Sequence, residues 1–151
     1  MFYYIYAVLH SRNYREAYKE FLKIDFPRIP YPEDKELFEK LTNLGGRLVE
    51  MHLMWHSEEW NTEHGFPIAG GNMVETIRYK DGGVYINRTQ YFSNVDEQEW
   101  VFMMGSYQPA QKWLKDRKGK KLQADDIVHY EQMLYAIRYT LVIMDEIDEV
   151  I

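Results

Sequence analysis

Positive charge is concentrated in one short segment of the sequence. Residues 112 to 121 read KWLKDRKGKK, with six Lys or Arg residues and one Asp, a local charge of +5. Lysine and arginine at a helix end and the following turn suit phosphate oxygens, which attract point charges and guanidinium forks. A solvated basic surface would show the same pattern. The candidate phosphate-binding residues are Lys112, Lys115, Arg117, Lys118, Lys120 and Lys121.

A second polar group lies on or near a predicted β-hairpin. Arginine, asparagine and glutamine are the side chains that read base edges through paired hydrogen bonds. An ordinary soluble surface carries the same residue types, so the composition alone does not decide between the two interpretations. The candidate base-reading residues are Arg78, Asn87, Arg88 and Gln90.

No motif for catalysis or metal binding is complete. His52 and His56 are four residues apart, a spacing that zinc sites use on one helix face. The zinc-protease signature also needs Glu directly after the first His, and Leu53 stands there. There is no phosphate-binding glycine loop and no Gly-x-Ser-x-Gly elbow. We therefore predict no catalytic residue and no metal site in this chain.

Apolar residues at steps of three and four predict helices toward both ends of the chain. The Gly45-Gly46 pair interrupts one of them and indicates a kink or a close helix contact. Pro27, Pro30 and Pro32 favour an extended connector. The expected helices cover residues 2–10, 13–24, 33–56, 108–117 and 124 to the end.

Between these helices the periodicity changes to that of β-strands. Residues 73–79 and 84–87 flank Asp81-Gly82-Gly83, a typical tight-turn sequence. Further strands are expected at 90–92 and 100–104. Helices, then a short antiparallel sheet, then helices predict an α+β fold. We expect a single domain over residues 1–151, helical at 1–56, β-rich at 72–104 and helical at 108–151.

Composition and charge restrict the function classes. The net charge is −6, which opposes a general nucleic-acid binder, so the distribution of charge matters more than its total. The absence of cysteine excludes disulfides and thiolate metal sites and is compatible with a cytoplasmic protein. No stretch approaches the roughly 20 apolar residues of a membrane span, so no membrane partner is expected.

The chain opens on an apolar, aromatic segment. Residues 1–9 read MFYYIYAVL and lack the basic region of a signal peptide. A helix that is buried from its first turn is unusual at a natural chain start. We therefore expect a fragment of a longer protein, and an exposed first helix would allow the fragment to pair with itself.

Several long phrases of the sequence resemble one protein family. They are FYYIYAVLHSRNYREAYKEFLKIDFPRIP, GGVYINRTQYF, SYQPAQKWLKDRKGKKL, DDIVHYEQM and MDEID. Together they closely resemble the C-terminal specificity domain of type I single-polypeptide, or Type ISP, restriction-modification enzymes. The resemblance extends nearly from end to end.

The resemblance implies a target-recognition domain of a bacterial phage-defence enzyme. In that family a nuclease, a helicase-like ATPase, an adenine-N6 methyltransferase and the recognition domain share one polypeptide. The recognition domain reads double-stranded DNA and presents the adenine to the methyltransferase. The Asn-Pro-Pro-Tyr methyltransferase motif and the Walker motifs are missing here. This chain would therefore be non-catalytic, and S-adenosylmethionine, ATP and Mg would bind to other domains of the parent enzyme.

An interaction module is the alternative hypothesis. The aromatic first helix and the proline segment would then dock on the methyltransferase or helicase domains of the same polypeptide, with little DNA contact. An apolar patch around Phe2, Tyr3 and Tyr6, without a continuous basic face, would favour this alternative.

Overall fold

The computed structural model describes residues 1–19 and 34–151. They form an α+β fold, as predicted, with helices around a small three-stranded antiparallel sheet. The helices are α1 (Phe2–Leu9), α2 (Arg12–Ala17), α3 (Lys35–His52), α4 (Glu97–Val101), α5 (Pro109–Lys115) and α6 (Ala124–Val150). The strands are β1 (Arg78–Lys80), β2 (Gly83–Tyr85) and β3 (Tyr91–Phe92).

The chain divides into two compact units. The first contains residues 1–55 and 139–151, and the second contains residues 56–138. Helix α6 contributes to both, because its residues up to 138 belong to the second unit and the later ones to the first. The β-rich part predicted from the sequence lies within the second unit.

A close approach between α1 and α3 organises the first unit. A Cβ atom added to Gly45 would lie 1.8 Å from the carbonyl oxygen of Tyr3, so only glycine permits this approach. The glycine pair therefore marks a close helix contact, and α3 continues through it. The core around the contact is formed by Tyr4, Ala7, Val8, Tyr14, Leu41, Leu44, Leu48, Ile143 and Ile147.

Side-chain caps fix where two helices of this unit begin. The Ser11 hydroxyl accepts a hydrogen bond from the amide of Tyr14, and the Asp34 carboxylate accepts one from the amide of Glu36. Each cap satisfies an amide that has no partner within its helix. Ser11 also donates to Asp148 at 3.0 Å, which attaches the start of α2 to α6.

A two-residue turn creates the hairpin of the second unit. Lys80 pairs with Gly83, so Asp81 and Gly82 alone form the connection. Both have positive φ angles, 48° and 80°, as a type I′ turn requires. The predicted hairpin turn is thus confirmed, and Tyr85 pairs with Tyr91 to add β3.

Aromatic packing joins the sheet to the basic helix within the second unit. The ring of Tyr130 lies 4.5 Å from that of Phe92 on β3 and 5.0 Å from that of Trp113 on α5. Its hydroxyl donates to the carbonyl of Ala110 at 2.8 Å, so the buried polar tip is satisfied. This single side chain therefore fixes α5 relative to the sheet.

Two predictions of secondary structure need correction. Residues 97–101 form helix α4 where a strand was expected at 100–104, because the amides of Glu99 and Trp100 bond back to the carbonyl of Asp96. Short apolar runs do not distinguish helix from strand by periodicity. Residues 73–77 lie outside the three strands and pair through separate backbone bonds.

The remaining helix predictions hold with adjusted ends. The helix expected at 33–56 is α3 and ends at His52. Helix α2 covers the start of the one expected at 13–24 and ends at Ala17. Residues 20–24 of that prediction, like Pro27, Pro30 and Pro32, lie outside the described residues. Within the described ranges, no helix combines the length and apolar character that crossing a membrane requires.

A histidine cluster lies between α1 and α3. The Tyr6 hydroxyl forms a hydrogen bond with Nδ1 of His52, and the rings of His10 and His52 are 5.1 Å apart. Burial, with the neighbouring His10 adding to it, lowers the pKa of His52 to about 4. Nε2 of His52 is buried without a partner in the described part of the chain, so a proton there would gain no hydrogen bond.

We predict that Gly45→Ala and Gly46→Ala have opposite effects. The first introduces a clash with backbone at Tyr3 and should lower the free energy of unfolding by about 1–3 kcal/mol. The second meets only the Tyr3 ring at 3.5 Å and should raise it by up to about 1 kcal/mol through helix propensity. Denaturant unfolding of the two variants measures both. Equal effects would contradict the close contact.

We also predict that the first unit loses stability in mild acid through His52. Its folded pKa lies below the unfolded value, so the unfolded chain binds the proton first and stability falls as pH decreases from about 6.5 toward 4. His52→Asn should reduce the slope of unfolding free energy against pH by up to about 1.4 kcal/mol per pH unit in that window. Unfolding at pH 7, 5.5 and 4 measures the slope, and an unchanged slope would refute the assignment.

Candidate functional site

The basic segment begins on α5 and continues into a tight turn. Pro109 occupies the first turn of α5, where its missing amide costs nothing. The chain leaves the helix after Lys115, and Gly119 adopts a φ of +84°, which glycine tolerates best. The turn brings the later lysines of the segment close to the end of the helix.

Four of the six phosphate-binding candidates are exposed and unpaired. Among the described residues they form no ion pair, so their ammonium groups are available to a ligand. They are Lys115, Lys118, Lys120 and Lys121.

The other two candidates are engaged within the fold. Lys112 forms an ion pair with Asp116 at 3.0 Å, and both side chains are exposed. The guanidinium of Arg117 lies 3.7 Å from the centre of the Trp113 ring and donates to the Trp113 carbonyl at 3.0 Å. Arg117 therefore stabilises the end of α5 by a cation–π contact and a capping hydrogen bond.

A depression of about 330 Å³ opens at the basic turn. Arg117, Lys120 and Lys121 line it together with the carboxylates of Asp116 and Asp126. The Asp126 carboxylate accepts a hydrogen bond from the backbone amide of Gln123 at 2.9 Å. The structure thus brings three of the predicted phosphate-binding residues to one place.

Backbone pairing attaches this turn to residues 72–74. The amide of Val74 donates to the Lys120 carbonyl at 3.0 Å, and the amide of Gly119 donates to the Val74 carbonyl at 2.7 Å. The amide of Leu122 donates to the Asn72 carbonyl at 2.8 Å. The basic turn is therefore held by a short antiparallel ladder.

Two of the base-reading candidates, Asn87 and Gln90, are buried. Gln90 is 1% exposed and Asn87 is 9% exposed, so neither side chain is presented to a ligand in this conformation. Their amides bond to each other, because Asn87 Nδ2 donates to Gln90 Oε1 at 3.0 Å. We therefore correct their assignment from contact with bases to support of the surrounding backbone.

Gln90 connects two segments that have no regular strand pairing. Its Nε2 donates to the Ile68 carbonyl at 3.0 Å and to Asn72 Oδ1 at 2.8 Å. Its Oε1 accepts from the amide of Asn72 at 2.8 Å. Asn87 adds a bond to the Met73 carbonyl and accepts from the amide of Gln90 at 2.8 Å. The two amides thereby fix residues 68–73, which overlap residues 72–74, the stretch that pairs with the basic turn.

The remaining base-reading candidates, Arg78 and Arg88, are exposed. Arg78 on β1 has its guanidinium 4.9 Å from the centre of the Tyr85 ring, and Tyr85 in turn lies 4.9 Å from Tyr91. Arg88 follows Asn87 directly and forms no ion pair within the described ranges. Both guanidinium groups can therefore reach a ligand.

The histidine pair suggested by spacing does not share a helix face. Helix α3 ends at His52, and His56 adopts a left-handed backbone conformation before the single 3-10 turn Ser57–Glu59. His56, Glu58 and Glu59 do bring ligand atoms within 4.8 Å of one another. All three are exposed, and such acidic clusters are common on surfaces without an ion.

Sequence reasoning missed a buried ionic cluster in the second unit. His64 Nε2 donates to Glu99 at 2.7 Å, and Arg138 Nε donates to the other oxygen of the same carboxylate at 2.6 Å. Arg138 also donates to the carbonyl of Asn94 and to Glu63. These residues are far apart in the sequence and occur in no spacing motif, so no local signal could have identified them.

A protein-family model matches nearly the whole chain. The model described as the Type ISP C-terminal specificity domain matches residues 1–146. No significant match to a curated protein was found.

Two solved structures share the fold over 96% of this chain. One is a nuclease-deletion mutant of the Type ISP restriction-modification enzyme LlaGI in complex with a DNA substrate mimic, with a TM-score of 0.70 and 19% identity. The other is the ATP-dependent Type ISP enzyme LlaBIII bound to DNA, with a TM-score of 0.72 and 17% identity. The matching regions span 13% and 11% of those chains.

We predict that Gln90→Glu destabilises the second unit strongly. The introduced carboxylate would face the Ile68 carbonyl and Asn72 Oδ1 where the amide now donates, leaving a buried charge with lost hydrogen bonds. The free energy of unfolding should fall by roughly 3 kcal/mol.

Arg88→Gln is the matched control, since it changes an exposed side chain in the same loop and should alter stability by no more than about 0.5 kcal/mol. Denaturant unfolding monitored through the tryptophans measures both variants. Equal stability of Gln90→Glu and the unmodified chain would exclude a supporting role for the amide network.

Proposed function

Because the chain belongs to the family of Type ISP C-terminal specificity domains, we propose that it recognises the DNA target of a restriction-modification enzyme. It contacts duplex DNA through the basic turn and through exposed side chains of the adjacent hairpin. In this role it positions the target for the methyltransferase domain of the parent polypeptide.

The observation that carries the proposal is the set of unpaired lysines on a rigid turn. Lys115, Lys118, Lys120 and Lys121 have no ion-pair partner in the described chain, while the backbone beneath the last two is tied to residues 72–74. A fixed backbone removes the entropic cost of ordering the loop on binding, and each phosphate contact releases a counterion.

The structural neighbours support a DNA partner. LlaGI is in complex with a DNA substrate mimic and LlaBIII is bound to DNA. At 17–19% identity the likeness itself concerns the fold, so the DNA contacts of this chain rest on its own side chains. Arg78 and Arg88 are the exposed candidates for base edges, and the lysines are the candidates for phosphates.

A specificity domain is as a class non-catalytic, and the parent's chemistry belongs to other domains. We assign methylation, ATP hydrolysis and DNA cleavage to those domains, with S-adenosylmethionine, ATP and Mg bound there. The net charge of −6 opposes tight DNA binding by this chain alone, so in this proposal the chain forms one wall of a DNA-binding cleft that other domains complete.

Docking on the parent's methyltransferase or helicase domains is the second candidate function for the first unit. Phe2 is 65% exposed and its ring lies 5.6 Å from that of Tyr3, which is also exposed. Exposed neighbouring aromatic rings are typical of protein interfaces. Tyr6 contributes less, since it is half-buried and hydrogen-bonded to His52.

We predict that DNA binding depends on salt through the basic turn. Fluorescence anisotropy with a mixed-sequence duplex, from 50 to about 200 mM salt, should show affinity falling steeply with salt. Replacing Lys118, Lys120 and Lys121 by Gln should weaken binding to every duplex and reduce the slope of log affinity against log salt by about 2–3. Arg117 is left intact because its stacking on Trp113 supports α5.

The matched control replaces Lys19, Lys35 and Lys40 by Gln, which changes the net charge by the same amount outside the basic turn. Its salt slope should remain that of the unmodified chain. Equal slopes in both triple variants would refute the phosphate assignment. Absence of binding at 50 mM salt would favour the docking function.

A further inference from the structure

We propose that Glu75 and Arg88 together read one G·C base pair in the DNA major groove, from opposite walls of a single shallow depression. This inference rests on the proposed DNA-recognition function and deepens it. It adds a carboxylate to the contact set and assigns Arg88 a particular base, which the composition of the hairpin did not suggest.

The depression has a volume of about 220 Å³ and lies beside the hairpin. Glu75, Met73 and Gly71 line it from one segment, and Arg88 and Thr89 line it from the loop before β3. The amide network reaches its wall through Asn87 and Gln90. Exposed charged side chains therefore surround a site whose buried polar groups are already satisfied.

Both charged residues stand on backbone that is held in place. The amides of Glu75 and Thr76 donate to the Ile86 carbonyl at 2.7 and 3.1 Å, which joins the two walls directly. Asn87 Oδ1 accepts from the amides of Thr89 and Gln90, which closes the loop that carries Arg88. A base-reading group must be positioned within a fraction of an ångström, and the fixed backbone limits the positions that the two side chains can reach.

The depression is lined by one acidic and one basic side chain, Glu75 and Arg88. Neither Glu75 nor Arg88 forms an ion pair anywhere in the described part of the chain, although both belong to the same site. A carboxylate and a guanidinium that line the same depression offer an acceptor and a donor fork to one ligand. The pattern differs from that of the basic turn, which offers donors almost alone.

The major-groove edge of G·C complements this pair of groups. Guanine presents two acceptors, O6 and N7, which suit the arginine fork, and cytosine presents the N4 amino donor beside them, which suits a carboxylate. An A·T pair places the adenine N6 amino donor where guanine has O6, and the thymine O4 acceptor where cytosine has its amino group. The carboxylate also repels phosphate, so its presence at a DNA contact favours a base edge over the backbone.

Selection of bound sequences from a randomised duplex pool tests the inference. The unmodified chain, Glu75→Gln, Arg88→Gln and the control Lys80→Gln are each put through the selection, Lys80 being an exposed cation on β1 outside the depression. The unmodified chain should enrich a site with at least one G·C pair. Arg88→Gln and Glu75→Gln should relax the same single position, by about 10- to 100-fold in preference.

The control should keep that preference and lose only overall affinity. Glu75→Gln separates base reading from simple repulsion, because a carboxylate that only repels DNA would on removal raise affinity for all duplexes alike. That result, or an unchanged base preference in Arg88→Gln, overturns the inference while leaving DNA recognition intact. Failure of the unmodified chain to enrich any sequence would instead overturn the proposed function, and this inference with it.

Discussion

The fold of the second unit depends on hydrogen bonds to backbone amides and carbonyls in stretches that form almost no regular secondary structure. Its three strands contain eight residues in all, so the backbone groups of residues 68–73 and of the loop between β2 and β3 need partners outside a regular strand ladder. An unpaired buried backbone group costs about as much as a lost hydrogen bond. The side chains of Gln90 and Asn87 supply these partners. They hold the loop between β2 and β3 against residues 68–73, and the basic turn pairs with the end of that stretch.

This constraint separates two kinds of polar residue that look alike in the sequence. The amides are committed to the interior, whereas the cations on the same segments remain at the surface without ion-pair partners in the described residues. A buried network that is fully satisfied is rigid, and rigidity is what a group that discriminates between bases needs. The interior amides thus determine where the exposed charges point.

Local sequence patterns predicted much of the fold. The features that they did not predict depend on contacts between residues that are far apart in the sequence. The Asp81-Gly82 turn and most of the helices follow from periodicity and turn chemistry, which act over a few residues. Residue type could not show that Gln90 is buried, since glutamine suits a base edge and a buried backbone equally well. The His64–Glu99 contact joins residues 35 positions apart, so only the folded chain reveals it.

The charge distribution of this chain suits a domain that discriminates between DNA sequences better than one that supplies most of the affinity for DNA. In the proposed function, the four lysines without an ion pair among the described residues would supply a handful of phosphate contacts on a chain of net charge −6, each adding about 0.9 to the salt slope. Proteins that bind DNA tightly by charge alone spread basic residues over a whole face. A rigid loop bearing Arg88 beside a short basic turn can instead rank sequences while other domains hold the duplex, because discrimination depends on the difference between two binding energies and not on their sum.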